Sequence, residues 1–172
     1  MKHFKISPLK LVILAITALS FSTSAAASVK IELIDGKKFT DYELSGQSRL
    51  RSLKTIKKDL HKLFSNLSSD YLQDKQSLEI DITNIDLPGR IHYGFGHASQ
   101  DIRVIRSSDF YRVYFTFRVK SEDGKIVQEG QHQLREFLDL NTSIHHRRNH
   151  SRGNVGFYKQ PLKEWFKETF TG

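Results

Sequence analysis

The sequence predicts a single α+β domain: a mixed β-sheet of four to five strands with a long crossover helix and a C-terminal helix, in the order β-α-β-β-β-α. Three features carry this reading. Apolar residues recur at intervals of three and four between about Ser48 and Leu67, apolar and polar residues alternate in segments beginning at Val29, Leu78 and Tyr111, and aromatic residues share one helical face near the C-terminus.

The first 27 residues stand apart from this pattern. Lys2, Lys5 and Lys10 form a positive region, and Leu11 to Phe21 is an apolar run of signal-peptide length, short for a bilayer span. Ala25-Ala26-Ala27 supplies the small residues that signal peptidase needs at −3 and −1. Cleavage is expected before Ser28, leaving residues 28–172 as the domain; the alternative is a retained N-terminal anchor helix. With no Cys in the chain, lipid attachment at a new N-terminal Cys is excluded. The expected product is an exported, periplasmic protein with no transmembrane anchor after cleavage.

Val29, Ile31 and Leu33 alternate with Lys30 and Glu32 as a first strand, turned by Asp35-Gly36-Lys37-Lys38. Leu50, Leu53, Ile56, Leu60, Leu63, Phe64 and Leu67 then give an amphipathic helix whose opposite face carries Arg51, Lys54, Lys58 and Lys62. Leu78, Ile80 and Ile82 alternate with Glu79, Asp81 and Thr83 in a strand that runs on to Leu87 and stops at Pro88-Gly89, completing a βαβ unit whose crossover should be right-handed. Arg90 to Gln100, without apolar period, reads as an exposed loop, and Ile102 to Ile105 as a short strand. Tyr111, Val113, Phe115, Phe117 and Val119 alternate with Arg112, Tyr114, Thr116, Arg118 and Lys120 in the clearest strand of the chain, which Asp123-Gly124 turns into a hairpin with Lys125 to Leu134. Arg135 to Leu140 fits a strand end or a helical turn. His145 to Gly156 reads as a polar, basic loop, and Leu162, Trp165, Phe166 and Phe170 form the apolar face of a closing helix with Pro161 near its first turn.

Composition narrows the function classes. Removing 27 of the 172 residues leaves 145, enough for one domain with a proper core, and takes away three lysines but no acidic residue, so the formal charge falls from +8 to +5. The absence of Cys removes disulfides, thiol catalysis and Cys-based metal sites, so an exported domain must stand on its core. Neither G-x-S-x-G nor H-E-x-x-H occurs, and Gly94-Phe95-Gly96 does not open a helix after a strand, which argues against a dinucleotide site.

Three constellations invite chemistry. His145, His146 and His150 are metal-ligand types, but Arg147, Arg148 and Arg152 among them repel a cation and no carboxylate is interleaved, so a solvated basic loop is expected and no metal is assigned. Asp81 and Asp86, with His92 and His97 downstream, suggest acid–base work. Residues five apart in a strand face opposite ways, however, so these carboxylates converge only if a bulge intervenes near Asn84, and Asp86 is expected to cap or turn the backbone. The basic ridge Arg51, Lys54, Lys58, Lys62 and the outward strand face Arg112, Tyr114, Arg118 are the candidate binding residues. The first is a solvated helix face or a contact for anionic partners: lipopolysaccharide phosphates, peptidoglycan carboxylates, acidic proteins or the inner-membrane surface. The second is a ligand-contacting sheet face or a surface covered by the C-terminal helix and Trp165. Export removes nucleic acid as a partner.

The string LEIDITNIDLPGR, followed by DIRVIR and FYKQPLKEWF, resembles an uncharacterised family of exported bacterial proteins, domain of unknown function 3016. The resemblance runs in order through Phe39-Thr40-Asp41, the basic helix, Ile85-Asp86-Leu87 before Gly89, Asp101-Ile102-Arg103-Val104, the glycine-turned hairpin, and Tyr158-Lys159 leading to Leu162 and Trp165-Phe166. It departs at Pro88, where Ala is usual, and at Phe157 and Gln160. The family has no assigned activity, so no catalytic residue and no cofactor carries over. The reading is therefore a non-catalytic periplasmic binding or interaction module, with a cell-envelope enzyme using an unrecognised carboxylate/histidine site as the alternative. Converging carboxylates and imidazoles would favour the enzyme, and a continuous basic or aromatic surface the binding module.

Overall fold

The structure, a computed structural model, describes residues 27–95, 100–106, 108–138 and 154–171. Strand β1 (Ser28–Leu33) leads through a short 3₁₀ turn into helix α1 (Arg49–Tyr71), which returns to β2 (Ser77–Asp86). The hairpin β3 (Arg90–Phe95) and β4 (Gln100–Val104) follows, then β5 (Phe110–Lys120), β6 (Ile126–Phe137) and, after a second 3₁₀ turn, helix α2 (Lys159–Phe170). One four-stranded sheet runs β1-β2-β5-β6, with β1 and β2 parallel and the other pairs antiparallel, while β3 and β4 form their own two-stranded sheet.

Period-two patterning decides which sheet face is buried. On β5 the odd-numbered residues Tyr111 to Val119 are buried and the even-numbered ones half-exposed. Both helices pack on the odd-numbered face: Phe64 of α1, Phe115 of β5 and Trp165 of α2 meet edge to face with ring centres 4.9–6.3 Å apart. Ile56, Leu60, Ile80, Ile82, Leu162 and Phe166 complete a core from which water is excluded. Ser48 caps α1 through its hydroxyl and the Arg51 amide, and the buried Ser52 hydroxyl accepts from the Leu44 amide at 3.0 Å, tying the incoming loop to the helix. Among the described residues no helix is long and apolar enough to cross a membrane.

One expectation is corrected and two open alternatives are decided. The segment from Arg90 is a hairpin rather than a loop: Gly94, at φ +64°, and a register shift between His92 and Phe95 let a sequence without clean alternation pair with β4. A bulge between Ile82 and Asn84 puts Asp81 and Asp86 on the same face of the sheet, opposite Thr116 and Arg112. The C-terminal helix does not cover Tyr114, because Trp165 packs on the opposite face, against Phe115 and Phe117. Arg135 to Phe137 continue β6. Residues 1–26, which hold all but the last residue of the expected signal peptide, His97 and the His145, His146, His150 cluster lie outside the described residues.

Candidate functional site

At 100° per residue, Arg51, Lys54, Lys58 and Lys62 fall within about 80° of one another around α1, and at 1.5 Å per residue they extend over about 16 Å of its length. The structure leaves all four exposed, opposite the buried Ile56, Leu60, Phe64 and Leu67. Among the described residues none of the four is ion-paired, whereas Lys57, one step off the ridge, meets Glu32 at 2.8 Å. The ridge thus keeps its charge for whatever approaches it.

The outward face of β5 differs. Arg118 donates from Nε to Glu79 at 3.2 Å and from Nη2 to Asp81 at 2.9 Å, and Lys120 donates to the other Glu79 oxygen at 2.6 Å. These contacts, led by the Lys120 hydrogen bond, hold the Glu79 carboxyl below its ordinary range. Arg112 donates to Asp86 from Nε at 2.9 Å and also from Nη2, and Tyr114 accepts from Gln133 at 3.2 Å. Cross-strand register places these partners directly opposite or diagonally, so the face is an internally neutralised ladder. Asp86 is therefore an ion-pair partner and not a cap or turn residue. Arg112, Tyr114 and Arg118 sit side by side as expected, but both arginines are already matched by carboxylates.

A third assembly was not visible as a site in the sequence. Arg103 donates to Asp41 from both terminal nitrogens, at 3.0 and 2.7 Å, to the carbonyls of Pro88 and Gly89 at 3.1 Å and to that of Glu43 at 2.7 Å. Its Nε is buried and unpartnered among the described residues. Asp41 bridges Asp86 through the backbone, and the buried Tyr158 hydroxyl donates to the Arg112 carbonyl at 2.7 Å. Burial, reinforced by the nearby Asp86, raises the Tyr158 hydroxyl well above its ordinary pKa and keeps it a neutral donor. Asp41, Asp86, Arg103 and Tyr158 all lie in the short strings that carried the family resemblance. The signal was in the sequence, but nothing in its spacing said that these strings meet. Beside them opens a mainly apolar cleft of about 510 Å³ between Leu44, Leu87, Ile105, Leu138 and Phe157, to which Arg103 presents its flank.

The two strand aspartates share a face without sharing a site, since they sit opposite Thr116 and Arg112 and each is engaged by its own arginine. His92 lies on β3, next to Phe95. Among the described residues no three His, Asp or Glu side chains are placed to hold one metal ion.

The family model described as a protein of unknown function, DUF3016, matches residues 27–168, and the chain belongs to that family. No curated protein is significantly similar to it.

Proposed function

Starting from a DUF3016 domain whose sheet-face aspartates are each held by an arginine, we propose that the protein is an exported, periplasmic, non-catalytic binding module that engages an anionic partner through α1. One observation carries this reading: Arg51, Lys54, Lys58 and Lys62 form an exposed ridge with no ion pair among the described residues, while Arg112 and Arg118 are neutralised within the sheet. Such a ridge concentrates positive potential along a rigid element, which attracts phosphate- or carboxylate-bearing surfaces and weakens with salt. The partner is an anionic envelope component or an acidic periplasmic protein.

The test is co-sedimentation of purified protein with vesicles containing lipopolysaccharide or anionic phospholipid, against zwitterionic vesicles. The wild type should bind the anionic vesicles and lose binding as salt rises, and Lys54→Glu with Lys58→Glu should lose it with a melting temperature no lower than the wild type's. Binding that ignores both salt and the double substitution would remove α1 as the contact. Export is tested separately by mass spectrometry of protein from the native host, which should find Ser28 or a close neighbour at the N-terminus.

A further inference from the structure

The two edges of the main sheet are unlike. β1 is six residues long and carries Lys30 and Glu32, whereas β6 runs for twelve residues, from Ile126 to Phe137, with neither Pro nor Lys in it. Nearly all of β6 is exposed, and no other described strand pairs with its outer edge. Natural edge strands are usually shortened, bulged, or guarded by Lys or Pro, because a long free edge templates pairing with another chain. β6 has a bulge at its start, opposite Val119 and Lys120, and the charges Glu129, Arg135 and Glu136 along the rest of its length.

We propose that β6 is a self-pairing edge, through which two copies of the chain join antiparallel about a two-fold axis at His132 to form one continuous sheet. A two-fold normal to a sheet requires opposed residues to share a face, so the axis must pass through a residue position. Centring it on His132 sets Glu129 opposite Arg135 of the second copy, twice by symmetry, and Gln131 opposite Gln133 of the second copy. The exposed apolar residues at the strand ends, Ile126 and Val127 against Phe137, then fall side by side; these are 50%, 54% and 69% exposed in the single chain. Moving the centre by one residue to position 131 puts Ile126 opposite Glu136 and Val127 opposite Arg135, and moving it to 133 puts Glu129 opposite Phe137. Only the His132 register among these matches charge with charge and apolar with apolar. Neither Glu129 nor Arg135 is ion-paired among the described residues, although Arg135 stacks over Phe110 at 5.1 Å. The backbone agrees as well. The Leu138 amide donates to the Asp109 carbonyl, so even-numbered residues of β6 turn their hydrogen-bonding groups to β5, and the odd-numbered ones, 129 to 137, face the free edge.

Sedimentation equilibrium on the purified protein should show a dimer. Glu129→Arg should raise its dissociation constant about tenfold or more, because each of two opposed pairs turns from attractive to repulsive, and Glu129→Arg with Arg135→Glu should restore it. Thermal melts of both variants separate this effect from a change in folding. Since the chain has no Cys, His132→Cys places a lone thiol on the axis, where opposed Cα atoms of a pair without mutual hydrogen bonds lie about 4.5 Å apart and a disulfide can close. Oxidation should give a covalent dimer with His132→Cys and none with Gln131→Cys. A wild type that is monomeric at the highest soluble concentration, or a dimer indifferent to Glu129→Arg, overturns the proposal.

Discussion

Arg103 grips Asp41 with both terminal nitrogens, at 3.0 and 2.7 Å, across 62 positions of sequence. The same guanidinium also satisfies three backbone carbonyls that join the 41–43 segment to the Pro88-Gly89 turn. Arg103→Lys keeps the charge but loses the planar fork, so it should cost about 1.5–3 kcal/mol, read as a lowered urea midpoint with unchanged slope. Full retention of stability would show that the clamp is not structural.

The Pro88-Gly89 turn beneath that clamp sets a second expectation. Gly89 sits at φ +79°, and an added Cβ would lie 2.2 Å from the Val104 carbonyl oxygen, so Gly89→Ala meets both an unfavourable dihedral and backbone that cannot yield. Gly124 in the β5–β6 turn has φ +80° with open space around it. Gly89→Ala should therefore destabilise by about 3 kcal/mol or more, and Gly124→Ala by only about 1 kcal/mol. Equal midpoints in denaturant titrations would contradict the distinction.

The long elements were legible in the sequence because their periods are local: α1 shows its apolar stripe directly, and β5 its alternation. β4 was read as a short strand, but its partner β3 was missed, because the hairpin is held largely by backbone pairing and Ile91, Tyr93 and Phe95 do not bury on a common core. Whether Asp81 and Asp86 share a face turned on one residue of bulge near Asn84, which reverses a face without changing composition, so the sequence could raise the alternative but not decide it. The basic ridge could be read because helix geometry alone aligns it. The neutralisation of Arg112 and Arg118 could not be, because it depends on β2 lying beside β5 in one register, and the Asp41–Arg103 pair depends on a long-range closure that no local pattern encodes.

Trp165 is the only tryptophan and contacts Phe64, Phe115, Phe117, Phe166 and Phe170 from both helices and the sheet. At 5% exposure, its removal leaves a cavity at the centre of the core, and Trp165→Ala should cost about 3–5 kcal/mol. Calorimetric unfolding checks this, and loss of binding at unchanged stability would instead give the indole a ligand-facing role.

On α1, four cations at intervals of three and four repel one another mildly, by a few tenths of a kcal/mol per pair. Lys54→Glu with Lys58→Glu turns the 51–54 and 58–62 pairs attractive and leaves only the 54–58 pair repulsive, so the double variant should melt at the same temperature as the wild type or slightly above it. A clear drop in melting temperature would mean that the ridge is needed by the fold and would disqualify the pair as a probe of binding.

His132 ties stability to pH. Its ring lies 5.5 Å from both Phe115 and Trp165, and burial lowers its pKa below the ordinary 6.5 against the opposing pull of Glu168 on α2. A histidine harder to protonate when folded means that the unfolded chain takes up more protons just below pH 6.5, so stability rises with pH through that window and is lost as pH falls through it. The carboxylate Glu79, held low by Lys120 and Arg118, acts in the same direction, but only below its ordinary 4.5. Unfolding midpoints should therefore fall between about pH 7.5 and 5.5, ahead of any carboxylate effect, and His132→Phe should flatten that limb while leaving the steeper loss in stronger acid. A wild-type midpoint that is level across this interval would show that the imidazole titrates alike in the folded and unfolded chains.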